Sequence, residues 1–151
     1  FLAAGIITHF EKVLSQHLVI AFFIPAILYM SNALGTQNQI LLIRDLAVMG
    51  KEFQTGKYVG KTLLIGAILS LIIGGAVYGI TFLVWKDVLI SYVLSLAMMA
   101  TLIVSSASSI FTTLGFRALH QDPATGSGPF ATIISDITSI AIYFLIVSTL
   151  L

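Results

Sequence analysis

Charge is the scarcest thing in this sequence. Only 9% of its residues are Asp, Glu, Lys or Arg, against 58% hydrophobic, and the mean hydropathy is +1.08. A water-soluble domain is about a quarter charged. This chain has too little charge to cover a globule in water, so the composition points to an integral membrane protein. Cysteine is absent, which excludes disulfides and thiolate metal sites. A surplus of one sign is missing too, and a net charge of +1 leaves no electrostatic footprint for nucleic acid. With no HExxH motif and no second carboxylate deep in an apolar run to form a dyad, the chain does not read as an enzyme. His9, His17 and His120 lie far apart and show no metal-ligand spacing. The start also lacks the basic region of a signal peptide. "FLAAGIIT" reaches His9 too soon to span a bilayer and reads as the tail of a helix in a longer protein.

What the chain does have is long uncharged runs. His17 to Arg44, Lys61 to Lys86 and Asp87 to Arg117 each bracket more than the roughly 20 residues that cross the hydrocarbon core. A last run from Gly128 to Leu151 is long enough as well, but Asp136 interrupts it. Lipid offers no partners to backbone groups, which favours helices. The alternating pattern of a membrane β-barrel is absent from "LLIGAILSLIIGGAV". The expectation is an all-α membrane protein with a five-transmembrane-helix bundle. Its helices fall at about 1–12 (partial), 16–48, 58–85, 88–117 and 125–151. Arg44, Lys51, Lys57, Lys61 and Arg117 fall on one side and only Lys12 and Lys86 on the other. The positive-inside rule puts the first set, and the N-terminus, in the cytoplasm and Leu151 outside.

Small and polar residues inside these runs mark the faces that meet protein or water. Gly66, Ser70 and Gly74 repeat at the four-residue spacing that lets membrane helices approach closely. Ser105, Ser109 and Thr112 share one face, which offers either a hydroxyl wall or hydroxyls bonded back to their own helix. Pro25 and Gly35 weaken the second run around "SNALGTQNQ". Its amides (Asn32, Gln37, Asn38, Gln39) fit either a protein-covered or wet surface at depth or the cytoplasmic interface. Arg44 and Asp45 follow, solvated or paired. Asp122-Pro123 fits a helix N-cap, or a carboxylate at a pore mouth.

Asp136 stands apart. Thr132, Asp136, Ser139 and Tyr143 form one polar stripe at helical spacing. A charge at this depth costs roughly 3 kcal/mol or more unless it faces protein, a partner or water. No Lys or Arg lies in any of the runs to neutralise it. An ion or water pathway is therefore the leading reading, with a protonated carboxyl bonded to a neighbouring helix as the alternative. One carboxylate among hydroxyls and carbonyls is an all-oxygen setting, which suits hard cations. Mg²⁺ in particular keeps several waters and uses one or two carboxylates. A homodimer with Asp136 near its two-fold axis would supply two.

Two stretches carry a resemblance. "FIPAILYMSNALGTQNQILLIRDLA" followed by "DPATGSGPFATIISDITSIAIYF" resembles the transmembrane domain of the MgtE magnesium channel/transporter family, related to eukaryotic solute-carrier magnesium transporters. Phe10-Glu11 after His9 resembles that family's Phe-Glu at the end of its first helix. One departure is Asn32-Ala33-Leu34 ahead of Gly35-Thr36-Gln37, where the family often has Gly-Gly-Asn before Gly-x-Gln. The cytoplasmic sensor domains typical of bacterial members are not among these residues. The resemblance implies a homodimer of five-helix subunits with the ion path at the dimer interface. It implies Asp136 as the ion-site aspartate, with Thr132 and Gly128 on the pore side before it, and Asp122 nearer the cytoplasmic entrance. Ser139, Gln37 and Asn32 are further pore-lining candidates. The functional expectation is a channel or transporter for hydrated Mg²⁺ (Mn²⁺ or Co²⁺ as other divalents) in a bacterial plasma membrane. The rivals are a Na⁺- or H⁺-coupled divalent-cation exporter and a non-transporting membrane assembly subunit.

Overall fold

A computed structural model describes Gly5, Thr8, Phe10, Glu11, Ser15 and residues 17–151. The partial helix expected over 1–12 falls largely outside the described residues, and His9 and Lys12 with it. Four long helices follow: α1 (Leu18–Met49), α2 (Thr55–Trp85), α3 (Val88–Ala118) and α4 (Pro123–Leu150), with one 3₁₀ turn at Gly50–Glu52 after α1. Each of the four contains a stretch long and apolar enough to cross a membrane. Among the described residues there is no strand, so the fold is all-α as the sequence indicates.

Local chemistry sets the helix ends. Gly50 takes φ +52, a left-handed value that costs glycine little, and its N–H returns to the Leu46 carbonyl to close α1. Asp87 caps α3 by accepting the Ile90 N–H at 3.0 Å. Asp122 caps α4 by accepting the Ala124 N–H at 2.9 Å, with Pro123 in the first helical position. Pro25 and Gly35 do not interrupt α1. The helix runs unbroken through "SNALGTQNQ", so the amides are presented on helical faces rather than on irregular backbone.

Helix α3 is the centre of the bundle. It packs against α1, α2 and α4, and α1 also packs on α4. Two apolar clusters fill the interior. The larger one includes Ile20, Ile27, Met98, Leu102, Tyr143 and Phe144; the smaller, at the Arg117 end, is Leu42, Phe53 and Ile110. Arg117 lies over the Phe53 ring, 5.6 Å from its centroid, so the α1–α2 connection and the end of α3 share one end of the bundle.

Because lipid is as apolar as a leucine side chain, close backbone contact and interhelical hydrogen bonds must hold such helices together. The small residues of α2 provide that contact: Gly66, Ser70 and Gly74 are all buried. A Cβ on Gly66 would lie 2.7 Å from Ser106 Oγ, and one on Gly74 would strike Met99. Ser95 Oγ donates to the Gly74 carbonyl at 2.7 Å, joining α3 to α2. Gly75 and Gly79, on the other side of α2, face open space.

Candidate functional site at the α1–α4 seam

Helices α1 and α4 run antiparallel and are pinned at three levels. Tyr143 donates its hydroxyl proton to the Ile20 carbonyl at 2.7 Å. Asn32 Nδ2 donates to Asp136 Oδ1 at 2.6 Å. Gln39 Nε2 donates to Ser127 Oγ at 2.7 Å. The middle pair contains the anomalous carboxylate. Asp136 lies about 20 Å from either end of α4 by helical rise, and Asn32 is likewise central in α1. A short amide–carboxylate contact of this kind is charge-assisted and fixes the carboxylate's direction.

The carboxylate-bearing residue is not fully enclosed by the bundle. Asp136 and Asn32 are half-buried, while Thr132, Thr36 and Gln37 around them are exposed. Thr132 Oγ1 donates to the Gly128 carbonyl one turn earlier at 3.1 Å. Gly128 faces the Gln39 amide, which a Cβ there would approach to 3.7 Å. Against this surface lie a groove of about 370 Å³ bordered by Tyr29, Asn32, Thr36 and Gln37, and a polar niche of about 10 Å³ between Asn32, Gln39, Thr132 and Ser135. The niche has room for about one water.

The sequence-derived residues separate in space. Asn32, Thr132 and Asp136 come together, with Gly128 one turn before Thr132 and Gln37 on the groove. Asp122 is exposed at the start of α4, where it borders a separate pocket of about 270 Å³ with Arg117 and Leu46. Ser139 is fully buried, and its hydroxyl is without a hydrogen-bond partner among the described residues. The polar stripe is thus one helical face under two covers. The start of α1 closes over Tyr143, Ser139 is buried, and the face opens at Thr132.

Among the described residues the ion pair formed is Arg44–Asp45 at 2.8 Å, about 18 Å along α1 from Asn32. No three His, Asp or Glu side chains among them come together. Among the described residues Asp136 therefore has a single amide and no cation, and against lipid a lone carboxylate costs roughly 3 kcal/mol or more.

Of the hydroxyls behind this pair, sequence reasoning named Ser105 only as one member of an α3 wall and did not name Ser31 or Ser135 as its partners. Of the α3 wall, only Ser105 reaches other helices, donating to the Ser31 carbonyl at 2.6 Å and meeting Ser135 Oγ at 2.6 Å. Ser109, Thr112 and Thr113 bond back to their own helix. Ser106, outside the predicted wall, takes the Asn38 amide at 2.6 Å. Helical spacing identifies residues that share a face, but it does not identify the helix that face meets.

Comparison with known proteins bears on this geometry. Residues 24–146 match the MgtE family, described as a divalent cation transporter. The chain is similar to the magnesium transporter MgtE of Bacillus subtilis (strain 168), with 30% identity over 155 residues covering 95% of this chain and 32% of that protein. It is similar to the protein of the same name from Enterococcus faecalis, with 32% identity over 151 residues covering 96% of this chain and 32% of that protein. The namesake from Thermus thermophilus is 31% identical over 156 residues, covering 98% of this chain and 33% of that protein. The chain thus spans about a third of the length of these relatives.

Proposed function

This chain belongs to the MgtE family of divalent cation transporters, and we propose that it is the part through which hydrated Mg²⁺ crosses the membrane. Its four long apolar helices are those of a multi-pass integral membrane protein. In this reading a fifth helix completes each subunit, two subunits form a homodimer, and the pore runs along their two-fold axis. Asp136 binds the ion through its water shell, with Thr132 and Gly128 holding waters on the approach and Asp122 at the cytoplasmic entrance. Mn²⁺ and Co²⁺ would pass by the same oxygen chemistry. The end carrying Arg44, Lys57, Lys61 and Arg117 faces the cytoplasm of a bacterial cell.

The observation that carries this reading is the placement of Asp136. Its side chain is mid-helix, held by Asn32 and half-buried, with exposed Thr132 one turn before it and exposed Thr36 and Gln37 on the groove that Asn32 borders. Such a face is costly against lipid and suited to water. A second copy related by two-fold symmetry would cover it and bring a second carboxylate. Mg²⁺ gives up its waters reluctantly, so two carboxylates acting through water bind it weakly enough for release, as conduction requires.

The Asn32–Asp136 hydrogen bond also fits the rival in which Asp136 only joins helices in a non-transporting assembly subunit. Mg²⁺ flux into liposomes, comparing wild type with Asp136→Ala and Asp136→Asn, separates the two. The channel reading expects robust flux in wild type and a loss of tenfold or more in both variants, on the order of one charge-assisted interaction. Undiminished flux in both variants would defeat the site assignment, and no flux in wild type would favour the assembly reading. Flux that vanishes without a Na⁺ or H⁺ gradient would favour a coupled exporter.

A further inference from the structure

Directly behind the Asn32–Asp136 pair lies a node of buried hydroxyls. Ser105, in the middle of α3 and 0% exposed, donates its one hydroxyl proton to the Ser31 carbonyl at 2.6 Å. It also lies 2.6 Å from Ser135 Oγ. With its proton committed to Ser31, Ser105 can only accept at that second contact, so Ser135 is the donor there. Ser31 and Ser135 immediately precede Asn32 and Asp136 in the chain. A single atom, Ser105 Oγ, therefore ties α1 to α4 at the level where Asn32 Nδ2 meets Asp136 Oδ1.

Gly35 makes this possible. It packs on Ser105 so closely that a Cβ would lie 2.9 Å from Ser105 Oγ and 3.6 Å from the Ser105 carbonyl. Any larger residue would hold α1 away from α3 and take the Ser31 carbonyl out of reach.

We propose that Ser105 is a positioning residue for ion binding: by clamping Ser31 and Ser135 it fixes the separation of α1 and α4, so that the Asn32 amide holds the Asp136 carboxylate pointing out of the bundle. A hydrogen bond of 2.6 Å has little slack, and a shift of about 1 Å between the two helices breaks it. The released carboxylate then samples several rotamers and must be ordered again each time an ion binds. Interhelical hydrogen bonds in membranes contribute little stability on average, so as plain glue Ser105 would be minor. As a positioning device it acts on the one charge of the site. This proposal deepens the reading of Asp136 as the ion site and rests on it.

The test is a double-mutant cycle read as half-saturating Mg²⁺. The full-length protein is reconstituted in liposomes, and uptake is measured against Mg²⁺ concentration for wild type, Ser105→Ala, Ser135→Ala, Asn32→Ala, Asp136→Asn and the Ser105→Ala/Asn32→Ala double variant. Asn32→Ala should raise the half-saturating concentration about tenfold, the scale of a hydrogen bond to a charged group, and Ser105→Ala about fivefold, the scale of a neutral one. Ser135→Ala should shift it less than Ser105→Ala, since the Ser105–Ser31 bond survives. The double variant should match Asn32→Ala alone, because Ser105 acts through that amide. A merely structural Ser105 would instead contribute independently. If the two shifts multiply, or if Asn32→Ala shifts half-saturation and Ser105→Ala does not, the proposal is overturned while the ion-site reading stands. If neither Asn32→Ala nor Asp136→Asn changes uptake, the ion-site reading falls and the proposal with it. Should Ser105→Ala fail to fold, Ser135→Ala enters the same cycle with the same expected non-additivity.

Discussion

Gly66→Ala tests the three-helix contact that sets the bundle's spacing. The added Cβ would lie 2.7 Å from Ser106 Oγ and 3.2 Å from Ser106 Cβ. Ser106 cannot swing aside freely, because it is buried and its Oγ accepts the Asn38 amide at 2.6 Å. One methyl on α2 therefore strains α3 and strips α1 of a hydrogen bond. Overpacking costs about 1–3 kcal/mol, and leaving the buried Asn38 amide unpaired adds about 1–3 kcal/mol. Up to about 1 kcal/mol returns because alanine is the better helix former. The net expectation is a loss of roughly 2–4 kcal/mol, read as unfolding of the purified protein in mixed micelles. Gly75→Ala is the internal control: no described atom lies within 4 Å of its Cβ, so it should be no less stable than wild type and gain up to about 1 kcal/mol from helix propensity. Removing the hydroxyl in the Gly66→Ala background with Ser106→Ala should leave the protein no less stable than Ser106→Ala alone. A Gly66→Ala protein as stable as wild type, or costs that simply add in the double variant, would refute this packing.

Two further substitutions probe parts of the frame remote from Asp136. Tyr143→Phe removes the hydroxyl bonded to Ile20 and should cost about 1 kcal/mol in the same unfolding assay, without moving half-saturating Mg²⁺. Asp87→Ala removes the cap on α3 and should cost about 1 kcal/mol, while Asp87→Asn, which still accepts the Ile90 N–H, should cost little.

Composition was enough to indicate an all-helical chain crossing a membrane, because charge is expensive in lipid and its absence over long stretches has few other uses. Asp136 was visible for the same reason, as the one carboxylate deep in an apolar run. Its partner was not. Asn32 lies 104 positions away, and nothing in either local pattern links them. The amide cluster on α1 read as one feature, yet helical geometry sends Asn38 to α3, Gln39 and Asn32 to α4, and Gln37 outward. Ser105 was legible only as one hydroxyl among several on α3. Its role depends on Ser31, Ser135 and the missing Cβ of Gly35, which belong to two other helices. The resemblance supplied Asp136, Thr132 and Gly128 together as a site, which spacing alone would have left as part of a stripe running on to the buried Ser139.

In the proposed reading the face carrying Asp136 meets water and a divalent ion rather than lipid. These 151 residues contain no cysteine, so Thr132→Cys introduces the one thiol of this membrane stretch, on that exposed face and one helical turn from Asp136. The thiolate is the nucleophile that attacks such a reagent, and it needs water to form. The rate of labelling by a charged, membrane-impermeant methanethiosulfonate should be measurable in proteoliposomes and should fall several-fold when Mg²⁺ saturates the site. A thiol that does not react, or one that reacts equally fast with and without Mg²⁺, would contradict the account.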